Sequence, residues 1–426
     1  MAPTGQQVDE GKIQMNDHFF QNIEPIQYRY YNPKQKILGK TMEEHLRISV
    51  CAWHTFCWEG PDMFGQPLFH RPWMKSPEEK IKALFEFIQK LGVKYFTFHD
   101  VDLAPAGVSL EKITDLIGEE MKRTGIELLW GTANLTGHPR YMAGAMTNPD
   151  PAVFAVAAAQ VKAAIDATHR LKGHNYVLWN GRDGYETLLN TDLRQEMDQY
   201  GRFLSLLVDY KHKIGFKGAL LIEPKPREPM KHQYDFDCAT TSAFLRKYGL
   251  EKEFQFNIES NHATLAGHTF SHEIAYALAN DAFGSLDAND GDLLLGWDTD
   301  QFPMDLSQYT HGLYLILQHG GFKTGGCNLD AKVRRQSIDL QDLFYGHING
   351  IETLAKALLH AAALIEKNDL QSFMKKRYEH WHSGLGQDIL HKKMNFEQIA
   401  NYVQTHRLDP KPHSGRQEML EGMLNL

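Results

Sequence analysis

The sequence predicts an α/β fold, a (β/α)8 TIM barrel with an irregular N-terminal lead-in and a C-terminal helical arm. Three observations carry that reading: eight short β-rich apolar runs, amphipathic helical stretches between them, and acidic residues at the ends of the later runs. The runs are RISVCAW (47–53), KYFTFHD (94–100), IELLWGT (126–132), NYVLWNG (175–181), GALLIEP (218–224), FQFNIES (254–260), FGSLDAN (283–289) and, weakest, GFKTGGCNLD (321–330). Eight units suggest closure. An open doubly wound sheet would alternate in the same way, but no Gly-x-Gly-x-x-Gly follows the first run to support it.

The helices between the runs carry their own punctuation. Ser76 and Pro77 fit N-cap and N1, Glu79 occupies the capping-box position, and Gly92 follows the last turn. Ser109 opens the next helix and Gly125 closes it. The division expected is a lead-in over 1–45, rich in Tyr and Asn with Pro25 and Pro33, a catalytic barrel over 46–338, and the final barrel helix with its arm over 339–426. For the tail, helices packed on the outside of their own barrel are slightly favoured over an arm that embraces a neighbouring subunit.

Composition narrows the function. With 42% hydrophobic and 23% charged residues in a chain of 426, no apolar run approaches the ~18 residues a membrane span needs. Met1 to Asp17 lack the basic and apolar regions of a secretory signal, so a cytoplasmic location is expected. Cys51, Cys57, Cys238 and Cys327 show no zinc-type spacing and are expected to be reduced packing residues. A formal charge of −8 leaves no basic footprint for nucleic acid.

Function in such a barrel sits at the C-terminal strand ends. Run five ends in Glu223, run six in Glu259 with His262 beyond, run seven in Asp287 and run eight in Asp330; Asp298 and Asp300 follow run seven. Any one Asp after a strand more often caps the next helix. Seven metal-competent residues past four consecutive strand ends weigh against that. Six carboxylates at one mouth would raise one another's pKa values unless cations lay between them. Oxygen donors with one imidazole suit Mg²⁺, Mn²⁺ or Co²⁺, and their number implies two ions. Asp298 and Asp300 would point to one side of an extended segment.

His99 and Asp102 after run two form either a buried structural pair or an acid/base imidazole oriented by a carboxylate. Lys225 shares the side of Glu223 and would lean toward the cations. Trp53, Trp130 and Trp179 lie near run ends, as rim packing or as an apolar wall for a sugar ring.

The segments YFTFHDVDLAP, LLWGTANL, LIEPKPREPMKHQYD, NIESNHATLAGHTFSHE, GWDTDQFP and GGCNLDAKVRRQS resemble the longer-chain, class II bacterial xylose isomerases, from about Ile26 to the final SGRQE. The resemblance implies an aldose–ketose isomerase that converts D-xylose to D-xylulose, and D-glucose to D-fructose, by ring opening and a metal-assisted hydride shift. It implies that Glu223, Glu259, Asp287 and Asp330 hold one cation, that Glu259, His262, Asp298 and Asp300 hold the other, and that Glu259 bridges. It further implies that His99, oriented by Asp102, opens the ring, that Lys225 contacts O1, and that Trp53, Thr132 and Trp179 line the pocket. The family is usually tetrameric, and Phe64 matches the aromatic that a neighbouring subunit inserts beside the sugar.

Four positions depart from the family pattern. Thr136 replaces Phe, Asn180 and Asp183 replace Gly and Glu, and Asp290 replaces Arg. None is a ligand position, and Thr136 bears most on substrate preference. Two other classes compete. A barrel endonuclease would need several histidines and a basic groove; a catalytically silent sugar- or metal-binding barrel would have no need of His99.

Overall fold

The computed structural model describes residues 19–24, 26–61 and 65–425. Eight parallel strands close on one another: β1 (Ser49–Cys51), β2 (Tyr95–His99), β3 (Glu127–Thr132), β4 (Asn175–Trp179), β5 (Ala219–Glu223), β6 (Phe254–Glu259), β7 (Phe283–Asp287) and β8 (Cys327–Leu329), with β8 pairing back onto β1. Each of the eight runs supplies one strand. Register sets the height of the strand ends, because His99 pairs with Thr132, Trp179 with Glu223, and Glu259 with Asp287.

The eighth strand is much shorter than its run. Gly320 and Gly321 adopt φ values of 94° and 82°, which break an extended chain. A Cβ on Gly325 would lie 2.1 Å from the Gly284 carbonyl oxygen, and one on Gly326 would lie 2.4 Å from that of Arg47. Glycine there lets the strand approach both neighbours.

The outer ring is α1 (Pro77–Leu91), α2 (Leu110–Thr124), α3 (Pro151–Arg170), α4 (Leu193–Ile214), α5 (Cys238–Lys247), α6 (Phe270–Ala279), α7 (Leu306–Gln318) and α8 (Leu340–Lys367). Ser76 caps α1 by accepting the Glu79 N–H, and Gly92 ends it at φ 71°. Ser109 and Gly125 bracket α2 in the same way. Apolar faces such as Phe85, Phe87 and Ile88 of α1 and Leu354, Leu358 and Ala361 of α8 are buried in one continuous core. By length and hydropathy α8 would also suffice to cross a membrane, contrary to the expectation that no stretch would; half of that apolar window is buried in the fold.

Inside the barrel a small apolar floor of Tyr95, Leu129, Trp130, Val177 and Leu221 is separate from the outer core. Polar groups line the lumen beside it. Ser49 and Thr97 both donate to Asn328 Oδ1 at 2.9 Å, and Asn328 donates to Asp287 Oδ1 at 2.9 Å.

Two flanking expectations change. The lead-in is not wholly irregular: Lys36–Ile37 pairs with Lys40–Thr41, and a helix over Met42–Leu46 opens with a Thr41–Glu44 capping box. Glu352 of α8 ties the segment before it by accepting the N–H groups of Arg29 and Tyr31 at 3.0 and 2.9 Å. The tail does not lie on its own barrel. Helices α9 (Asp369–Tyr378), α10 (Gly384–Leu390), α11 (Phe396–His406) and α12 (Gln417–Gly422) have no fully buried side chain, and Leu370 at the start of α9 and Met423 and Leu424 after α12 pack partly against the core. Charged side chains such as Lys375, Lys376 and Arg377 stand among their apolar ones.

Candidate metal centre and active site

Strand ends bring the acidic residues together as their positions in the runs predict. Glu223, Glu259, Asp287 and Asp330 each offer a ligand atom within 4.8 Å of the others; so do Glu259, Asp298 and Asp300, and so do Glu223, Glu259 and His262. Glu259 belongs to all three groups. His262 Nε2 lies 2.9 Å from Asp298 Oδ2 and 3.1 Å from Glu259 Oε2, so its ring faces the junction between them. Asp298 and Asp300 do converge, but not as alternate residues of an extended segment. Asp300 takes φ 44°, a left-handed kink, and Lys332 Nζ holds its Oδ2 at 2.6 Å.

Burial makes this concentration of charge costly. It pushes Glu259 well above the usual carboxylate range, with Asp298, Asp330 and Asp300 adding to the effect. It does the same to Asp287, beside Glu223 and Asp330, and it raises Glu223 itself. Asp300 rises to about 6, through burial and then Asp298. Asp298 goes the other way: burial would lift it, but Lys225 and His262 outweigh that and hold it well below the ordinary value. Burial would lift Asp330 too, but the hydrogen bond and charge of His54, with His99, together hold it below the ordinary value.

Neutral donors complete the setting. Asn257 donates to Glu223 Oε2 at 2.9 Å, Asn289 to Glu259 Oε1 at 2.7 Å, and Asn261 to Asp298 Oδ1. Asp287 Oδ2 and His262 Nδ1 stay buried without a hydrogen-bond partner. Unpaired donor atoms amid carboxylates driven toward protonation fit a place shaped for divalent cations. An oxygen-rich donor set of this kind suits divalent cations.

On another side of the mouth, His99 Nδ1 meets Asp102 Oδ2 at 2.9 Å. Burial disfavours the charged imidazole, but Asp102 more than compensates and its pKa rises. Lys225 Nζ lies 2.9 Å from Asp298 Oδ2, 3.4 Å from Glu228 Oε2 and 5.2 Å from the centre of the Trp179 ring. Burial disfavours its charge, but Asp298, Glu228 and Glu259 together outweigh that and keep it protonated. Trp53 donates from Nε1 to Asp330 Oδ1 at 2.9 Å, and its ring lies 4.4 Å from His99 and 5.4 Å from Trp130. Thr132 is buried and gives its hydroxyl to the Val177 carbonyl at 2.6 Å, so it shapes the strand end through the backbone. Phe64 lies outside the described residues.

Sequence reasoning missed His54 and Lys332. His54 Nε2 sits 3.0 Å from Asp330 and 3.4 Å from Asp300, one residue past Trp53 at the end of the first run. That position was the signal available. Of the four departures, Asp183 anchors a loop by accepting from the backbone of Ala145 and Thr147, and Asp290 accepts from Met304 and Asp305. Asn180 donates to both Tyr200 and Asp235, while Thr136 donates its hydroxyl to Asn134 at 3.0 Å.

Fold and mouth together define a (β/α)8-barrel enzyme with a carboxylate-rich, cation-competent centre. Residues 85–306 match the xylose isomerase-like TIM barrel model, and residues 374–426 match the XylA2 C-terminal domain. The xylose isomerase of Haemophilus influenzae (strain PittGG) is 57% identical over 414 residues, covering 94% of each chain. That of Pectobacterium carotovorum subsp. carotovorum (strain PC1) is 56% identical over 418 residues, and that of Yersinia pestis bv. Antiqua (strain Angola) 55% over 418, each covering 95% of both chains. The chain belongs to the xylose isomerase family. A solved L-ribulose 3-epimerase shares the fold alone, at TM-score 0.54 and 14% identity over 76% of this chain and 97% of that one.

The charge balance predicts an unusual pH response. Glu223, Glu259, Asp287 and Asp300 bind protons more readily folded than unfolded. Between the ~4 of a free carboxylate and their raised values, about 6 for Asp300, the cation-free folded state therefore gains stability as pH falls. His99, also raised, acts in the same direction. Asp298 and Asp330 oppose this only below the free value. Chelated protein should melt higher at pH 5.5 than at pH 7.5, whereas millimolar Mn²⁺ should raise the midpoint most at pH 7.5, by about 2.7 kcal/mol of stability per site at a hundredfold excess over Kd. Equal midpoints with chelator and Mn²⁺ at both pH values would count against a cation centre.

Proposed function

We propose that this chain interconverts D-xylose and D-xylulose, and D-glucose and D-fructose, with two divalent cations drawn from Mg²⁺, Mn²⁺ and Co²⁺. The observation that carries the reading is the sharing of Glu259 among three ligand groups. Glu223, Glu259, Asp287 and Asp330 would hold one cation, and Glu259, His262, Asp298 and Asp300 the other, with Glu259 between them. When bound, the cations supply Lewis-acid polarisation of two sugar oxygens and ease loss of the proton on O2.

The protein does the rest. His99, with Nδ1 committed to Asp102, presents Nε2 for proton movement between the ring oxygen and O1 as the cyclic sugar opens. Lys225 remains cationic beside Asp298 and places its charge where O1 becomes negative as hydride moves from C2 to C1. Trp53, Trp130 and Trp179 form an apolar wall against water, which favours a hydride shift over an enediol whose proton would exchange.

We further read the working form as a homotetramer. Support comes from the unburied C-terminal helices and from apolar side chains left in solvent, among them Phe396 at 92% exposure and Leu189 at 97%. Phe64 would reach a neighbour's pocket. The four cysteines are unpaired, which suits a reducing compartment, and we place the enzyme in the cytoplasm.

The test follows deuterium from C2 of xylose with added Mg²⁺. Retention at C1 of xylulose is expected, and wash-out into solvent would replace the hydride shift with an enediol. No xylulose at all would refute the activity. With His99→Asn, turnover of cyclic sugar should fall at least a hundredfold while cation affinity changes little; near-normal turnover would remove His99 from ring opening. Sedimentation should read four chains, and a monomer would refute the assembly.

A further inference from the structure

One cluster of ligand-type side chains lies outside the barrel mouth and has no part in the reaction. His268, His272 and Glu273 each bring a ligand atom within 4.8 Å of the others. Local folding puts them there. Gly267, at φ 81°, turns the chain after the short helix Ser260–Leu265, and Thr269 caps α6 by accepting the His272 N–H at 3.1 Å. His268 therefore stands just before the cap, with His272 and Glu273 in the first turn, and the two imidazole rings lie 4.6 Å apart.

Two further observations mark the cluster as a site for a cation. Nε2 of His268 is bonded to Asp237 Oδ2 at 3.0 Å, which leaves Nδ1 as the lone-pair nitrogen and fixes the ring's orientation. A carboxylate behind the imidazole is the usual support of a metal-binding histidine. Glu273 is 3% exposed; its Oε2 accepts the Cys238 N–H at 2.8 Å, and its Oε1 has no hydrogen-bond partner. The Cys238 thiol also lies against this carboxylate, and a buried carboxylate oxygen without a hydrogen-bond donor is open to a cation. The anionic Glu273 and Asp237 also offset the positive end of α6, which alone would repel a cation.

We propose that His268, His272 and Glu273 bind a borderline divalent ion of the Zn²⁺ type, with a position open to solvent beside the exposed His272. Two imidazoles and one carboxylate are a zinc-type donor set, and Mg²⁺ is poorly served by them. The ion would tie the start of α6 to α5 through the His268–Asp237 pair. It would thereby brace the turn that follows the helix bearing His262. It is separate from the barrel centre and shares no side chain with it.

The test uses the full chain in millimolar Mg²⁺, titrated with Zn²⁺ against a chromophoric chelator, as wild type, Glu259→Gln and His272→Ala. Glu259→Gln should retain one Zn²⁺ equivalent per chain that His272→Ala binds at least tenfold more weakly. His272 is exposed, so its variant should fold. Co²⁺ in the Glu259→Gln protein should give the intense visible bands of a low-coordinate site, and adding His272→Ala should abolish them. Equal Zn²⁺ uptake by wild type and His272→Ala, or loss of that equivalent in Glu259→Gln, would overturn the proposal.

Discussion

Repulsion among buried carboxylates is the constraint around which this barrel mouth is arranged. Two unit charges about 4 Å apart repel by roughly 4 kcal/mol at an effective dielectric near 20, while a whole domain is stable by only about 5–15 kcal/mol. Glu223, Glu259, Asp287, Asp298, Asp300 and Asp330 cannot all be ionised there without compensation. The protein supplies part of it: Lys225 and His262 on Asp298, Lys332 on Asp300, His54 on Asp330, and amide donors elsewhere. Glu259 and Asp287 are pushed furthest toward protonation, by burial and by the surrounding carboxylates. Glu259 is shared by three of the ligand groups and Asp287 belongs to one of them, so divalent cations would relieve both.

Backbone geometry makes that arrangement repeatable. Paired registers set Glu259 level with Asp287 and Trp179 level with Glu223. Asn328 then couples the layers, since it collects Ser49 and Thr97 and passes a donor to Asp287. Asn289 does likewise for Glu259 and the Asp330 carbonyl. Polar side chains inside the barrel thus orient carboxylates rather than fill space.

Much of this was legible beforehand, for a physical reason. Strand ends are marked by where an apolar run stops, and a barrel converts each stop into a place on one rim. His54 escaped because it lies on a helical turn after β1, and Lys332 because it follows β8; periodicity says nothing about either. The kink at Asp300 depends on a left-handed backbone that an Asp does not announce. Helices α9–α12 were misjudged because amphipathic pattern shows that a face exists, not which surface covers it. The shortened β8 follows from the left-handed Gly320 and Gly321, and the close approach that Gly325 and Gly326 permit is visible only once neighbouring strands are in place.

On the proposed reading these carboxylates would hold two adjacent cations in one centre, with Glu259 shared between them. Electron paramagnetic resonance of the Mn²⁺-loaded protein reads that adjacency directly. The account predicts a spin-coupled signal from two Mn²⁺ in one mouth, replaced in Glu259→Gln by the spectrum of isolated ions. An uncoupled six-line spectrum from the wild type at full loading would contradict it.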